Sequence, residues 1–564
     1  MRTLLLILSV SCLLGALYNI STETRYSISL VLWVTSIALF YFSTPHFISH
    51  KRHHDKTSLT TWLIFFAICV FAIGLRFYLM FNTSSFHIDE YLTAHFSYSL
   101  GDVTKLNWFA VYPPLGDWIC QFPLPYFFFQ KLFFNIFGLS SLTMRFSILP
   151  YIIVIFVFLF LIAKRLFNAE TAIVSILLLA VFSPDLYLSR WALHFISSTA
   201  AFLVTTYFFV LCIQEGKKIH FALFGFFLAT CYMTYYSSYI AAPLFALYFL
   251  FLLITKKISK KQFFKFFFAG VIFIFAISPT LTYAFTVENF FTQRTSQVAL
   301  INGAWSPYKD VVMSPMPILD IVGKQISISV QSLYTNGVGG HAGYWFGKLA
   351  LFDKITFAFF VVGLVYLSVK TIKNKSAQSF FIICTIITSF LTGVVFTIPP
   401  PAFHRFSIAF PFIALTIAFV IVDIYLLLKK KHKRLSSVFL LITLCAVLIG
   451  NILHFNEILK TDGPDDPDFP RIQNDLEKNN ATFVLIASFP SYSIGKVLYI
   501  RSNQTITSET TDLTSILSDT TLPNPYYLIV VYPTDETTQT IIFDFPNTEI
   551  INRYNTHMLL RVSK

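Results

Sequence analysis

Charge is what this 564-residue chain has least of: Asp, Glu, Lys and Arg make up 12% of it, and only 28 residues are acids. That scarcity excludes an ordinary soluble enzyme. With 55% hydrophobic residues, 66 Phe and a mean hydropathy of +0.67, no water-surrounded core could absorb the apolar surface. Cysteine is sparse too. The seven Cys lack metal-ligand spacing and six lie inside apolar runs, which excludes a zinc site and a disulfide framework and leaves them as small buried hydrophobes. The glycines follow no phosphate-loop spacing. No internal repeat of the kind found in secondary transporters is present. What remains is a polytopic membrane protein.

The net charge of +13 would suggest nucleic acid in a soluble chain, but here Lys and Arg orient spans and no nucleic-acid partner is expected. About thirteen apolar runs are long enough, or nearly so, to cross a bilayer as helices. They are 4–18, 28–42, 61–81, 146–163, 171–182, 193–213, 221–235, 240–254, 264–285, 355–369, 380–398, 406–428 and 437–453. The basic clusters at Lys51-Arg52, Lys164-Arg165, Lys217-Lys218, Lys256–Lys261, Lys370–Lys375 and Lys429–Arg434 then all fall on one side, the cytoplasmic one. The N-terminus is therefore expected inside and the C-terminus outside. The first run has no clear A-x-A-like cleavage site and reads as an uncleaved anchor.

Three segments are not membrane. Residues 82–143 form a first extracytoplasmic loop, with a Phe-rich stretch at Phe127 to Phe137 that reads as an interfacial amphipathic helix. Residues 286–354 form a second, polar loop containing Arg294, Trp305, His341 and Tyr344-Trp345. From Asp462-Gly463-Pro464 the composition turns to Thr, Asn, Asp and Pro, and residues 456–564 read as a small soluble α/β domain. Strands are expected at 482–488, 496–500, 527–532, 540–543 and 558–562, and helices at 471–478 and 513–518.

Phe86-His87-Ile88-Asp89-Glu90-Tyr91 lies just beyond the third apolar run. Acids at a membrane edge are costly to desolvate and mark a functional site. On a helix the two would point about 100° apart, so they divide two roles between them. The competing reading is an acid pair favoured only by a helix dipole. His87, Asp89, Glu90 and His95 lack one-face metal spacing, so no metal ligand is assigned, although a divalent ion is left open. An outward acid pair with several arginines suits glycosyl transfer from a polyprenyl phosphate. Phosphate leaves readily, so the site needs cations for the developing charge and one carboxylate to deprotonate the acceptor hydroxyl. Arginine matches phosphate oxygens in a bidentate way, though arginines at span ends also snorkel to headgroups.

Six stretches in order carry a resemblance: His87-Ile88-Asp89-Glu90, Tyr112-Pro113-Pro114-Leu115, Phe137-Gly138 with Met144-Arg145-Phe146-Ser147, Ala163-Lys164-Arg165-Leu166-Phe167, Ser183-Pro184 with Ser189-Arg190, and His404-Arg405-Phe406 with Pro411. Together they resemble the GT-C glycosyltransferases, glycosyltransferase family 39-like, in the bacterial branch related to protein O-mannosyltransferases and the lipid A aminoarabinose transferase. The resemblance spans residues 60–455, with residues 1–59 as two extra N-terminal helices. It implies Asp89 and Glu90 as the catalytic pair, Asp89 as base and Glu90 orienting the acceptor or supporting the base, and Arg145, Arg190 and Arg405 as substrate-binding arginines, the donor phosphate lying near Arg190 or Arg405. His404, Arg294, His341 and Tyr112 are further substrate-binding candidates, although Tyr112-Pro113-Pro114 also reads as a rigid turn. It departs after Ser189-Arg190, where many relatives carry an acid and this chain has Trp191-Ala192-Leu193-His194. The expected protein is an α-helical GT-C membrane enzyme of the plasma (inner) membrane, taking a polyprenyl-phosphate sugar to a lipid, glycan or protein acceptor. A lipid transporter or an envelope-assembly scaffold are the alternatives.

Overall fold

A computed structural model describes residues 1–45, 58–82, 88–101, 106–112, 122–287, 289, 291–308, 315–338, 349–398, 401–461, 468–487, 505–508, 513–519, 521–531, 533–555 and 557–563. It is mostly helical because backbone in lipid must satisfy its hydrogen bonds within the segment. In chain order the helices are α1 (Arg2–Ser21), α2 (Tyr26–Ser43), α3 (Leu59–Asn82), α4 (Ile88–Ser99), α5 (Pro125–Phe137), α6 (Ser141–Phe146), α7 (Leu149–Leu166), α8 (Ala169–Val181), α9 (Ser183–Leu188) and α10 (Phe195–Gln214). There follow α11 (Lys218–Thr230), α12 (Ala241–Ile254), α13 (Lys260–Thr286), α14 (Gln293–Val298), α15 (Pro315–Gln331), α16 (Lys354–Asn374), α17 (Ala377–Phe390), α18 (Phe410–Lys429) and α19 (Lys433–Thr461).

Among the described residues, 11 helical segments are long and apolar enough to span, and the shorter apolar helices Ala169–Val181 and Lys218–Met233 stand where two further spans are expected. Eleven plus two matches the thirteen apolar runs. The segments differ in what surrounds them. α10 is the most enclosed, 83% of its apolar window being buried, against 22% for α1, which packs with α2 on the flank of α13. Several starts carry their own caps: Asn168 accepts from Thr171 N (2.7 Å), Asp353 from Thr356 N (3.0 Å), and Ser259 forms a reciprocal box with Gln262. At the ends rich in Lys and Arg, Glu215 binds Arg165 (2.9 Å) and Lys217 (2.8 Å), joining α7 to the α10–α11 turn. Gly225 lets α11 meet α13 closely, since a Cβ there would stand 2.3 Å from the Ala269 carbonyl oxygen.

The long polar loop is partly helical, holding α14 and α15, which its composition did not indicate. The tail contributes α20 (Asp468–Lys478), α21 (Leu513–Leu517) and α22 (Asp535–Asp544) around a mixed five-stranded sheet. Numbering the first-loop pair Val111–Tyr112 and Phe122–Pro123 as β1 and β2, the sheet holds β3 (Val484–Ala487), β4 (Thr505–Ser508), β5 (Tyr526–Val531), β6 (Thr548–Arg553) and β7 (His557–Val562) in the order β4-β3-β5-β7-β6. β3 is parallel to β4 and β5, and β7 antiparallel to β5 and β6. Alternation along the strands divides the core: Val484, Ile486 and Ile529 share the cluster of Ile472 and Leu476, while Leu485, Leu528 and Val530 pack with Ile516 and Ile541. The first group is continuous with Phe455 and Ile458 of α19.

One tail element is corrected. Residues 540–543, read as a strand from their short apolar run, lie in α22, where Ile541 is buried and Phe543 is 79% exposed. A half-buried strand would have turned both to one face, so packing outweighed local preference. β4 and β6 are additional, and the expected strand at 496–500 lies outside the described residues.

Candidate active site

The acid pair occupies the first turn of α4, a placement the helix dipole favours. α4 is held by its neighbours. Ser97 Oγ donates to Gln130 Oε1 (2.6 Å), Gln130 Nε2 donates to Ser147 Oγ (3.3 Å), and the Lys131 amine of α5 caps the Leu100 carbonyl at the far end. The two acids then part company. Asp89 is half-buried, whereas Glu90 is fully buried and accepts from Arg145 Nε (3.1 Å), Arg145 Nη2 (3.0 Å) and the Ala192 amide (2.8 Å). This bidentate pair joins α4, α6 and the turn after α9. Arg145 also donates to the Met80 carbonyl (3.2 Å), closing the end of α3 onto the same point.

The turn from Ser189 to His194 is fixed from below by a pair missed in the sequence. Arg76, fully buried in α3, donates to the Leu179 (3.2 Å) and Ala180 (3.1 Å) carbonyls at the end of α8, to Ser189 Oγ (2.9 Å) and to Asp185 Oδ2 (2.5 Å). It thereby satisfies carbonyls that the end of α8 leaves unpaired, while Pro184 opens α9. A lone charge inside the third apolar run was the available signal. Arg190 points into this packing, 4.5 Å from the rings of both Tyr187 and Trp191, and is 1% exposed.

A separate cavity of about 470 Å³ brings together residues far apart in the chain. Tyr235, Tyr236, Tyr239 and Pro243 come from the start of α12 and the 3-10 turn before it, Arg294 and Val298 from α14, and Thr392, Phe396, Thr397 and Arg405 from the end of α17 and the turn before α18. The Leu300 amide donates to the Phe396 carbonyl (2.9 Å) and the Ile398 amide to the Val298 carbonyl (2.9 Å), which seals loop and span together. α17 ends in a π-helical turn, Leu391–Val395. Gly393 is required there, because a Cβ would stand 2.8 Å from the Arg405 carbonyl oxygen. Arg405 Nη1 donates to the Ile398 carbonyl (3.2 Å), and Arg294 lies 4.9 Å from the Trp305 ring.

Of the residues singled out from sequence, Arg294 and Arg405 thus share one cavity, and Glu90 and Arg145 share one ion pair. Arg190 and His404 are buried and are not among the residues lining the cavity. Tyr112 contributes backbone to β1, opposite Phe122. His87, Pro113, Pro114, His341, Tyr344 and Trp345 lie outside the described residues. Among the described residues no group of three His, Cys, Asp or Glu could hold a metal. The cavity tyrosines also escaped the sequence reading; a Tyr-Tyr-Ser-Ser-Tyr run between two apolar stretches was the signal.

Residues 121–283 match the family model described as dolichyl-phosphate-mannose-protein mannosyltransferase. In architecture the chain is similar to ArnT from Cupriavidus metallidurans bound to undecaprenyl phosphate, at 10% identity, covering 89% of this chain and 98% of that one with a TM-score of 0.56. It is also similar to the oligosaccharyltransferase AglB from Archaeoglobus fulgidus in complex with an inhibitory peptide and a dolichol-phosphate, at 13% identity, 84% and 69% coverage and a TM-score of 0.50. The chain spans 64% of the length of the Archaeoglobus enzyme in its acceptor-peptide-tethered form. No curated protein sequence matches. The fold is thus the multi-pass helical GT-C fold, and the mannosyltransferase family match lies within it at residues 121–283.

Proposed function

We propose that the protein transfers a sugar from a polyprenyl phosphate to an extracytoplasmic acceptor hydroxyl, with Asp89 as general base and Arg294 and Arg405 holding the leaving phosphate. The observation that carries this is the cavity: two guanidiniums from separate elements, α14 and the turn before α18, line one space walled by tyrosines and apolar side chains. Such a wall suits a prenyl chain, and such a charge suits its phosphate. The acceptor oxygen attacks the anomeric carbon as the carbon–oxygen bond to phosphate breaks, inverting the centre in one displacement. The acceptor proton passes to Asp89, and the polyprenyl phosphate leaves as an anion against the arginines. Glu90, bound to Arg145 and Ala192, is a positioning residue that fixes the helix turn carrying Asp89. The undecaprenyl phosphate held by ArnT and the dolichol-phosphate held by AglB are carriers of the proposed kind.

The basic clusters support an orientation with the N-terminus cytoplasmic and the acid pair, the cavity and the α/β tail outside, in a bacterial plasma membrane. The test is turnover of a panel of polyprenyl-phosphate sugars by purified protein in lipid, wild type beside Asp89→Asn. Asparagine keeps the shape and cannot take the proton, so a loss of about 10²–10⁴-fold is expected with unfolding temperature unchanged. Equal activity of the two would remove Asp89 from the mechanism.

A further inference from the structure

Between the acid pair and the cationic cavity stands a residue to which the mechanism above gives no role. His194 is the N-cap residue of α10, two residues after the Ala192 amide that Glu90 holds, and is 4% exposed. Its ring centroid lies 3.6 Å from that of Phe122, 4.8 Å from Tyr235 and 5.9 Å from Tyr126. Tyr235 is itself a wall of the cavity. Within this aromatic frame, Nδ1 of His194 is buried with no hydrogen-bond partner among the described residues. Buried polar atoms are nearly always paired, and an unpaired one beside a substrate cavity is a group whose partner arrives with the ligand.

We propose that His194 hydrogen-bonds a hydroxyl of the sugar being transferred, with the surrounding aromatic rings bearing on the sugar's apolar face. The inference rests on the glycosyl-transfer reading. A neutral imidazole has one donor and one acceptor nitrogen, and either tautomer pairs with a hydroxyl, which both donates and accepts. A phosphate would be met better by a cation, and the cavity already offers two guanidiniums for one, Arg294 and Arg405. The chemistry therefore selects hydroxyl over phosphate as the partner.

The test uses full-length protein in lipid, with the donor sugar that wild type transfers, deoxy analogues of that donor, and sugar-free undecaprenyl phosphate. His194→Phe keeps the ring and removes both nitrogens. The expected result is a donor KM raised tenfold or more, affinity for sugar-free lipid within twofold of wild type, and an unfolding temperature no lower, because an unpaired buried atom has gone. In wild type one deoxy donor should be impaired about tenfold, and that deficit should vanish in the variant. Should His194→Phe not fold, wild type alone decides: a full set of deoxy donors, none impaired, overturns the proposal. So does an unchanged donor KM in the variant, or equal weakening of sugar-free and sugar-bearing lipid, which would mark a phosphate contact. If wild type transfers no sugar from any polyprenyl phosphate, the glycosyl-transfer reading falls and this inference with it.

Discussion

Two sets of charges sit at the same end of the helix bundle and are built differently. At the acid pair, Glu90 and Arg145 face each other, 0% and 1% exposed, with both guanidinium contacts near 3 Å and Nη1 of Arg145 on the Met80 carbonyl. At the cavity, Arg294 and Arg405 face the same space, and no acid is among the described residues that line it. Opposite charges in contact cancel and fasten elements together; like charges around a cavity gather potential for an anion from outside. The first set is thus architecture and the second is the set proposed to bind, although neither the partner of Glu90 and Arg145 nor the shared cavity of Arg294 and Arg405 is visible in the sequence.

That contrast breaks most visibly at the ion pair. Arg145→Ala should cost about 3–5 kcal/mol, because it leaves Glu90 buried without its cation. Thermal unfolding of the purified protein in lipid would read it as a large loss of stability. A double change of Glu90 and Arg145 to apolar residues should recover much of the loss. Were Arg145→Ala as stable as wild type but unable to bind donor, the two sets would have been assigned the wrong way round.

The cavity arginines should respond in the opposite sense. Arg294→Gln and Arg405→Gln each remove a charge-assisted contact of about 1.5–3 kcal/mol, so each should weaken binding of polyprenyl phosphate roughly 10- to 100-fold with little change in unfolding temperature. Binding to sugar-free lipid phosphate is the direct readout. Raised salt should weaken wild-type binding less than it would for an exposed pair, since the cavity is partly enclosed.

A smaller effect separates the tail from both sets. Asp475 accepts from Asn552 (2.9 Å) and Tyr554 (2.7 Å), and these hydrogen bonds lower its proton affinity below the ordinary carboxylate value of 3.8. A depressed folded-state value means the contribution is present above pH 3.8 and lost as pH falls through the lower folded value. Tyr554→Phe should therefore cost about 1 kcal/mol near neutral pH and flatten the acid limb. Measured by following the tail's unfolding with pH, it should leave glycosyl transfer unchanged.

Much of the membrane part was readable because lipid enforces a simple rule. Each run had to be long, apolar and helical, so Leu59–Asn82 or Phe403–Lys429 differ from their expected limits by only a few residues. The tail was less readable: short β-branched runs suit helix or strand, and residues 540–543 went to the helix because the sheet needed a covering layer. Asp89 and Glu90 stood out together in sequence, yet nothing local distinguishes the half-buried acid from the one 55 residues away from its arginine partner.

Composition and hydropathy alone therefore determined a polytopic helical membrane protein with an acid pair beyond its third apolar run and a small α/β tail, because transfer of apolar surface and backbone hydrogen bonding act segment by segment. Only the tertiary structure decided which charges pair and which face a cavity. Arg145 reaches Glu90 across 55 residues, Arg76 reaches Asp185 across 109, and Arg294 comes to line one cavity with Arg405 through the joining of a loop to the end of a span. A charge's energy depends on what surrounds it in space, and for these residues the surroundings come from distant parts of the chain.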